Sequence, residues 1–140
     1  MTRTPAEILA EARTIALVGA SSKEWRPSHR VMRYLLEHGY HVIPVRPAGP
    51  VEILGVPRVA SLRELDELDE PVDVVDVFRR PEFCPPVAQE ALDIGARALW
   101  LQLGIVSPEA RAIAEAGGLD YVENACTAIV HRELAKCSRS

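Results

Sequence analysis

Short apolar runs alternate along the chain with longer segments in which apolar residues recur every three or four positions. A continuous apolar run is typical of a strand buried on both faces, and the longer spacing is typical of an amphipathic helix. The runs predict five strands, at residues 14–18, 40–45, 72–78, 98–103 and 119–122. Strands that alternate with helices in this way indicate an α/β fold with a parallel five-stranded sheet and helices on both faces.

The helical segments carry recognisable start and stop residues. We place helices at residues 5–13, 28–39, 61–68, 82–94 and 107–117. Thr4 before Pro5 is expected to cap the first helix and Ser28 the second. Ser61 followed by Glu64 is the capping-box pattern at the start of the third.

Two further stretches are predicted to be irregular. Gly55 and Pro57 interrupt residues 51–59, which indicates an irregular or hairpin-like excursion. A polar tail is expected from His131 onward. The whole chain, residues 1–140, is long enough for one domain with its own buried core and shows no internal repeat.

The charge balance limits the classes of partner. Sixteen basic residues stand against 20 acidic ones, for a net charge of −4, and no basic block of the kind that binds nucleic acid is present. No apolar run approaches the roughly 18 residues that span a bilayer. We therefore expect neither a nucleic-acid partner nor a membrane location.

The ends of the chain and its cysteines favour a cytoplasmic location. The segment after Met1 lacks the long apolar core of a signal peptide. Cys84, Cys126 and Cys137 form no close pair and no metal-binding spacing. Reduced thiols in the cytoplasm are the simplest interpretation.

The first strand leads into a turn that suits a phosphate. Residues 15–18 are wholly apolar and are followed by Gly19, whose freedom of backbone conformation allows a sharp turn close to a ligand. Ser21 and Ser22 add hydroxyl and backbone N–H groups before the next helix. A dinucleotide fingerprint has three glycines and only one stands here, so an ordinary strand-to-helix turn is the alternative.

Arginines recur where the predicted strands end. Arg26 lies in the segment after the first strand, Arg46 follows the second, and Arg79 and Arg80 follow the third. Ligands of parallel sheets bind at the carboxyl ends of the strands, and guanidinium groups are well suited to phosphates. Any one of these arginines could be an ordinary surface residue. Together, the four indicate a ligand rich in phosphate.

Arg46 also bears on the class of ligand. An NAD site places an acidic residue at the end of the second strand to hold the ribose 2′-hydroxyl. Here the first acid beyond Arg46 is Glu52. A ligand with a phosphate on its ribose fits better, which leaves NADP and coenzyme A (CoA) open.

Several blocks of this sequence resemble the small stand-alone CoA-binding proteins. The blocks are residues 15–21, 26–28, 31–47, 73–83 with their Phe-Arg-Arg-Pro-Glu-Phe core, and 100–105. The likeness extends over roughly residues 5–134. These proteins are similar in fold to the N-terminal domain of the succinyl-CoA synthetase α subunit, so the resemblance implies a Rossmann-like domain with CoA as its ligand.

The resemblance also implies a set of CoA-binding residues. Those around the pyrophosphate would be Gly19, Ala20, Ser21 and Ser22, with Arg26, Pro27 and Ser28 beside it. The adenosine end would meet Val45, Arg46 and Pro47. The opposite wall would be Phe78, Arg79 and Arg80, with Gln102 and Gly104 near the pantetheine path.

Catalysis by this chain alone is not expected. In the synthetase the phosphorylated histidine belongs to a second domain, and the four histidines here match no catalytic or metal-binding motif. Cys126 lacks the basic neighbour that often precedes it in the family, so a buried packing role is favoured over a reactive thiol. We expect non-covalent binding of CoA or a short acyl-CoA. An NADP-dependent oxidoreductase and a protein-interaction module without a ligand are the alternative functions.

Overall fold

Strands and helices alternate as the hydrophobic pattern predicts. The computed structural model describes residues 3–138; Met1 and the side chain of Cys137 lie outside the described part. The strands are β1 (Thr14–Val18), β2 (His41–Val45), β3 (Glu52–Ile53), β4 (Val56–Pro57), β5 (Val74–Val77), β6 (Ala98–Leu101) and β7 (Asp120–Val122). The helices are α1 (Pro5–Glu11), α2 (Pro27–Glu37), α3 (Leu62–Glu67), α4 (Cys84–Asp93), α5 (Pro108–Ala116) and α6 (Thr127–Ser138), and a 3-10 turn at Pro81–Phe83 precedes α4.

Five parallel strands form the main sheet in the order β2-β1-β5-β6-β7. The chain moves outward from β1 to β2 and then returns to β5 on the other side of β1. Strand order therefore reverses at β1, and in such sheets this is where a ligand crevice opens at the carboxyl ends. The predicted Rossmann-like fold with five parallel strands is confirmed. β3 and β4 form a separate antiparallel hairpin, as residues 51–59 indicated.

The side chains of each strand alternate between two cores. One core joins Ala16, Val75 and Leu99 to α3, α4 and α5. The other joins Leu17 and Trp100 to α1, α2 and α6. Both faces of the sheet are thus covered, which explains why its strands are apolar at nearly every position rather than at every second one.

The predicted helix caps are only partly correct. Thr4 and Glu7 form a reciprocal capping box at α1. At α2, however, Arg26 is the capping residue and Ser28 lies inside the helix, because Pro27 takes the first helical position that proline favours. Ser61 makes no side-chain cap on α3, and Glu64 accepts a hydrogen bond from the Ala60 N–H.

The expectation of a polar tail from His131 is wrong. This segment belongs to α6, which packs against α1 and α2. The helix buries Ala128 and half-buries Val130 and Leu134, while its other face is polar. The Tyr34 hydroxyl lies 2.9 Å from Nδ1 of His131 and further joins α6 to α2.

Candidate functional site

The ends of three strands are tied together at the point where strand order reverses. The Gly19 N–H donates to the Val45 carbonyl oxygen at 3.1 Å, which joins the turn after β1 to the end of β2. On the other side, the Phe78 N–H donates to the Val18 carbonyl oxygen at 2.8 Å and joins β5 to β1. These bonds fix the positions of the three segments that follow the strands.

Glycine is required at position 19. Its φ is +88°, a conformation that side chains disfavour. A Cβ at this position would also lie 2.5 Å from the Phe78 carbonyl oxygen, well inside contact distance. The close approach between the first turn and the end of β5 therefore depends on the missing side chain.

An open cleft of about 650 Å³ lies above these strand ends. Eleven of the residues that the sequence suggests for a CoA site line it. They are Gly19, Ala20, Ser21, Arg26, Pro27, Ser28, Arg46, Phe78, Arg79, Arg80 and Gln102. Residues that lie up to 83 positions apart in the sequence are thus brought to one edge of the sheet.

Four suggested residues do not line the cleft. The side chain of Val45 is buried in the core beneath, because it belongs to the last position of β2. Ser22 and Pro47 are exposed beside lining residues. The Gly104 N–H donates to Oδ1 of Asn124 at 2.7 Å, so this glycine connects two loops outside the cleft.

One half of the cleft is strongly cationic. Its charged lining residues are Lys23, Arg26, Arg46, Arg79 and Arg80. Among the residues that the structure describes, no aspartate or glutamate lines the cleft, although the whole chain carries a net charge of −4. Arg26 and Arg46 form no ion pair within the described part of the chain, so both guanidinium groups remain available to an anion.

The N-terminus of α2 adds to this positive potential. Arg26 caps the helix without a side-chain hydrogen bond, and Pro27 and Ser28 of the first turn line the cleft. Unpaired N–H groups and the helix dipole make such a terminus favourable for a phosphate. Arg79, whose guanidinium carbon lies 4.6 Å from the Phe83 ring centre, is held by this contact on the opposite wall.

The described residues that line the other half of the cleft are uncharged. It is built from the segment after β6 and from the start of α6, and its lining residues are Gln102, Leu103, Ile105, Cys126 and Ile129. Of these residues, the sequence suggested only Gln102 for the CoA site, and it favoured a packing role for Cys126 over a reactive thiol. Leu103 and Ile105 flank Gly104 in a block that the sequence did single out, whereas Cys126 and Ile129 required α6 to be recognised.

A buried polar cluster lies beneath the uncharged half. The Gln102 side-chain amide donates to Oδ1 of Asp76 at 2.5 Å and to the Thr127 hydroxyl at 3.0 Å. The Thr127 hydroxyl in turn donates to Oδ2 of Asp76 at 3.0 Å. Burial raises the pKa of Asp76 to about 7, although the two hydrogen bonds lower it in part. The cluster joins β5, the segment after β6 and α6 under the floor of the cleft.

The two cysteines whose side chains are described are both free thiols. Cys84, at the start of α4, is buried, and burial raises the pKa of its thiol. Cys126 is half-buried and also lines the cleft. The sequence predicted a packing role, which describes its buried side but not the side that faces the cleft.

Comparison with known proteins identifies the family. A family model described as the CoA binding domain matches residues 13–132. This chain belongs to the CoA-binding domain family. It is also 40% identical over 125 residues to the uncharacterized protein YneT of Bacillus subtilis (strain 168), a match that covers 89% of this chain and 90% of YneT. Family membership supports a CoA-related binding role.

Solved structures share the fold of this chain. The Thermus thermophilus protein cell-free ID.343 is 39% identical with a TM-score of 0.85, over 94% of this chain and 99% of its own. A redesigned form of the PH1109 protein is 37% identical with a TM-score of 0.86, over 94% of this chain and 89% of its own. The dinucleotide-forming acetyl-coenzyme A synthetase 1 of Ca. Korarchaeum cryptofilum shares the fold at 20% identity, with a TM-score of 0.71 over 84% of this chain and 27% of the synthetase.

The described residues contain no candidate metal site. No group of three or more histidine, cysteine, aspartate or glutamate side chains is arranged to hold a metal ion there. Helices that are long and apolar enough to cross a membrane are likewise absent from the described part of the chain.

Proposed function

We propose that this protein binds CoA non-covalently at the carboxyl edge of its sheet and performs no reaction on its own. The observation that carries the proposal is the charge of the cleft. Five cationic side chains line it and no acidic side chain of the described residues does, in a chain with a net charge of −4. CoA, with its pyrophosphate and its ribose 3′-phosphate, matches that arrangement.

The order of the strands supports one orientation of the ligand. Across the sheet edge from β2 to β7, Arg46 comes first, then the Gly19 turn with Arg26, then Arg79 and Arg80. The uncharged residues after β6 and at the start of α6 come last. The phosphates of CoA therefore lie toward β2, β1 and β5, and the pantetheine arm with its thiol extends toward β6 and α6.

Arg46 favours a ligand with a phosphate on its ribose. It follows β2 at the position where an NAD site has an acidic residue. NADP shares that phosphate, but the turn after β1 has one glycine where the dinucleotide fingerprint has three. CoA is therefore the better fit, and NADP is the ligand to compare with it.

The chemistry of the lining supports binding without catalysis. The titratable groups among the described lining residues are one lysine, four arginines and the Cys126 thiol. Neither a histidine nor a carboxylate lines the cleft within the described chain, so the described lining residues offer no general base to the thiol or the serines. The free thiols of Cys84 and Cys126 suit a reducing compartment, and we place the protein in the cytoplasm.

The test is calorimetric titration with four ligands in parallel: CoA, dephospho-CoA, NADP and NAD. We expect micromolar binding of CoA, weaker binding of dephospho-CoA, which lacks the 3′-phosphate, and little binding of NAD. Tighter binding of NADP than of CoA would assign the protein to the oxidoreductase alternative. Absence of binding to all four would support the protein-interaction alternative.

A further inference from the structure

We infer that the uncharged half of the cleft binds an aliphatic acyl group, so that the preferred ligand is an apolar acyl-CoA thioester rather than free CoA. This inference rests on the proposed function, because it is the orientation of CoA that brings the thiol to this half. The site consists of Leu103, Ile105, Cys126 and Ile129.

Leu103 and Ile129 face the cleft with unusually exposed side chains. Leu103 is 65% exposed and Ile129 is 48% exposed, and both line the same opening. Apolar side chains that are exposed together commonly mark a binding surface. Within the cleft they continue the path of the pantetheine arm beyond the last arginines, which is where the acyl group of a thioester would lie.

The backbone that carries these side chains is held firmly in place. The Asn124 N–H donates to the Ile105 carbonyl oxygen at 3.1 Å, and Oδ1 of Asn124 accepts from the Gly104 N–H. The Trp100 indole N–H donates to the Ala125 carbonyl oxygen at 2.9 Å. The segment after β6 and the start of α6 are therefore bonded to each other, so the exposed apolar surface is built on fixed elements and not on a loose loop.

The Gln102 amide limits the polar contacts that this half can make. Both of its N–H groups are committed to Asp76 and Thr127, so its carbonyl oxygen is the polar atom left for a ligand. An acceptor suits an amide N–H of the pantetheine arm. It does not suit a carboxylate, and no cation of the described residues lines this half. An uncharged aliphatic acyl group is therefore favoured over a dicarboxylic one such as succinyl.

The experiment is titration with CoA, acetyl-CoA, butyryl-CoA, hexanoyl-CoA and succinyl-CoA. Full burial of a methylene strengthens binding about fourfold, and an open site of this kind should give about half that free energy, or roughly twofold per methylene. Butyryl-CoA and succinyl-CoA have chains of equal length, so they isolate the effect of the carboxylate. We expect succinyl-CoA to bind at least about 10-fold more weakly than butyryl-CoA.

Substitutions test whether Leu103 and Ile129 cause the preference for longer acyl groups. Leu103→Ser and Ile129→Ser should each reduce the ratio of hexanoyl-CoA affinity to CoA affinity toward one. Leu68→Ser changes a similarly exposed leucine that does not line the cleft, and it should leave this ratio unchanged. Both cleft residues are exposed, so the substitutions are expected to leave the fold intact.

The titrations distinguish failure of the acyl site from failure of the proposed function. The acyl site is overturned, and the proposed function stands, if the protein binds CoA but its ratio of hexanoyl-CoA affinity to CoA affinity is one or below. The same conclusion follows if Leu103→Ser and Ile129→Ser do not change this ratio. Absence of binding to CoA and to every thioester would overturn the proposed function itself.

Discussion

Gly19 is the residue on which the geometry of the cleft most depends. Replacement by alanine places a Cβ 2.5 Å from the Phe78 carbonyl oxygen in addition to the strain of a positive φ. We expect Gly19→Ala to lower the free energy of unfolding by roughly 3 kcal/mol, as the sum of backbone strain and overpacking. Urea unfolding followed by circular dichroism measures the change.

Gly39 provides the matched control. Its φ is +90°, but a Cβ there has no neighbour within 4 Å among the described residues. Gly39→Ala should therefore cost only the strain, roughly 1–2 kcal/mol. Equal losses for the two variants would show that the approach of the Gly19 turn to β5 is not as close as described.

Single residues differ in how far the sequence alone could identify them. Gly19 and the arginines were predictable because their positions after strands follow from the hydrophobic pattern. Ile129 was not, since its contact with the cleft depends on α6, and Cys126 was singled out as a cysteine but assigned a packing role. Val45 was predicted as a contact but points into the core, because the side-chain direction at a strand end depends on its exact register.

At the scale of elements, Asp76 joins β5 to α6 and to the segment after β6, and it makes stability depend on pH. Its folded pKa of about 7 lies above the ordinary value of 3.8. Between these values the folded protein keeps a proton that the unfolded chain has lost. Stability from this group is therefore full below about pH 4 and is lost as the pH rises to about 7, by up to roughly 4 kcal/mol.

Asp76→Asn tests this dependence. The amide resembles the protonated carboxyl, with an oxygen that accepts from Gln102 and an N–H₂ that can donate to Thr127. The variant's stability relative to wild type should rise from pH 4 to pH 7 and then level off, as measured by urea unfolding at each pH. The exposed Asp66→Asn serves as control. The difference in unfolding free energy between Asp76→Asn and wild type could also change with pH as little as it does for Asp66→Asn. That result would contradict a buried Asp76 carboxyl that keeps its proton.

The elements also show where sequence patterns were insufficient. The five strands were recognisable because burial on both faces leaves nearly every position in them apolar. α6 was missed because much of its sequence is polar, and of its apolar residues Ala128 is small while Val130 and Leu134 are only half-buried. The start of α2 was misplaced because serine is a common cap, whereas the fixed φ of Pro27 sets the cap two residues earlier, at Arg26.

At the scale of the whole molecule, charge is distributed unevenly. The chain is acidic overall, yet five cations face the cleft. Because opposite charges at a solvent-exposed edge are screened by salt, CoA affinity should fall on the order of 10-fold between 50 and 500 mM NaCl. Titrations at several salt concentrations measure this. An affinity that does not change with salt, while the unfolding midpoint also stays constant, would argue against phosphate recognition by the arginines.

The central claim is that CoA binds at this edge with its ribose phosphate at Arg46. The most direct test combines wild type and Arg46→Ala with CoA and dephospho-CoA in a four-way titration. Arg63→Ala, an exposed arginine of α3 outside the cleft, is the control.

We predict that loss of the 3′-phosphate weakens binding to wild type and to Arg63→Ala by roughly 10- to 100-fold, the value of a charge-assisted hydrogen bond. In Arg46→Ala the same change in the ligand should have little effect. If removal of the 3′-phosphate weakens binding to Arg46→Ala as much as it weakens binding to wild type, the account is contradicted.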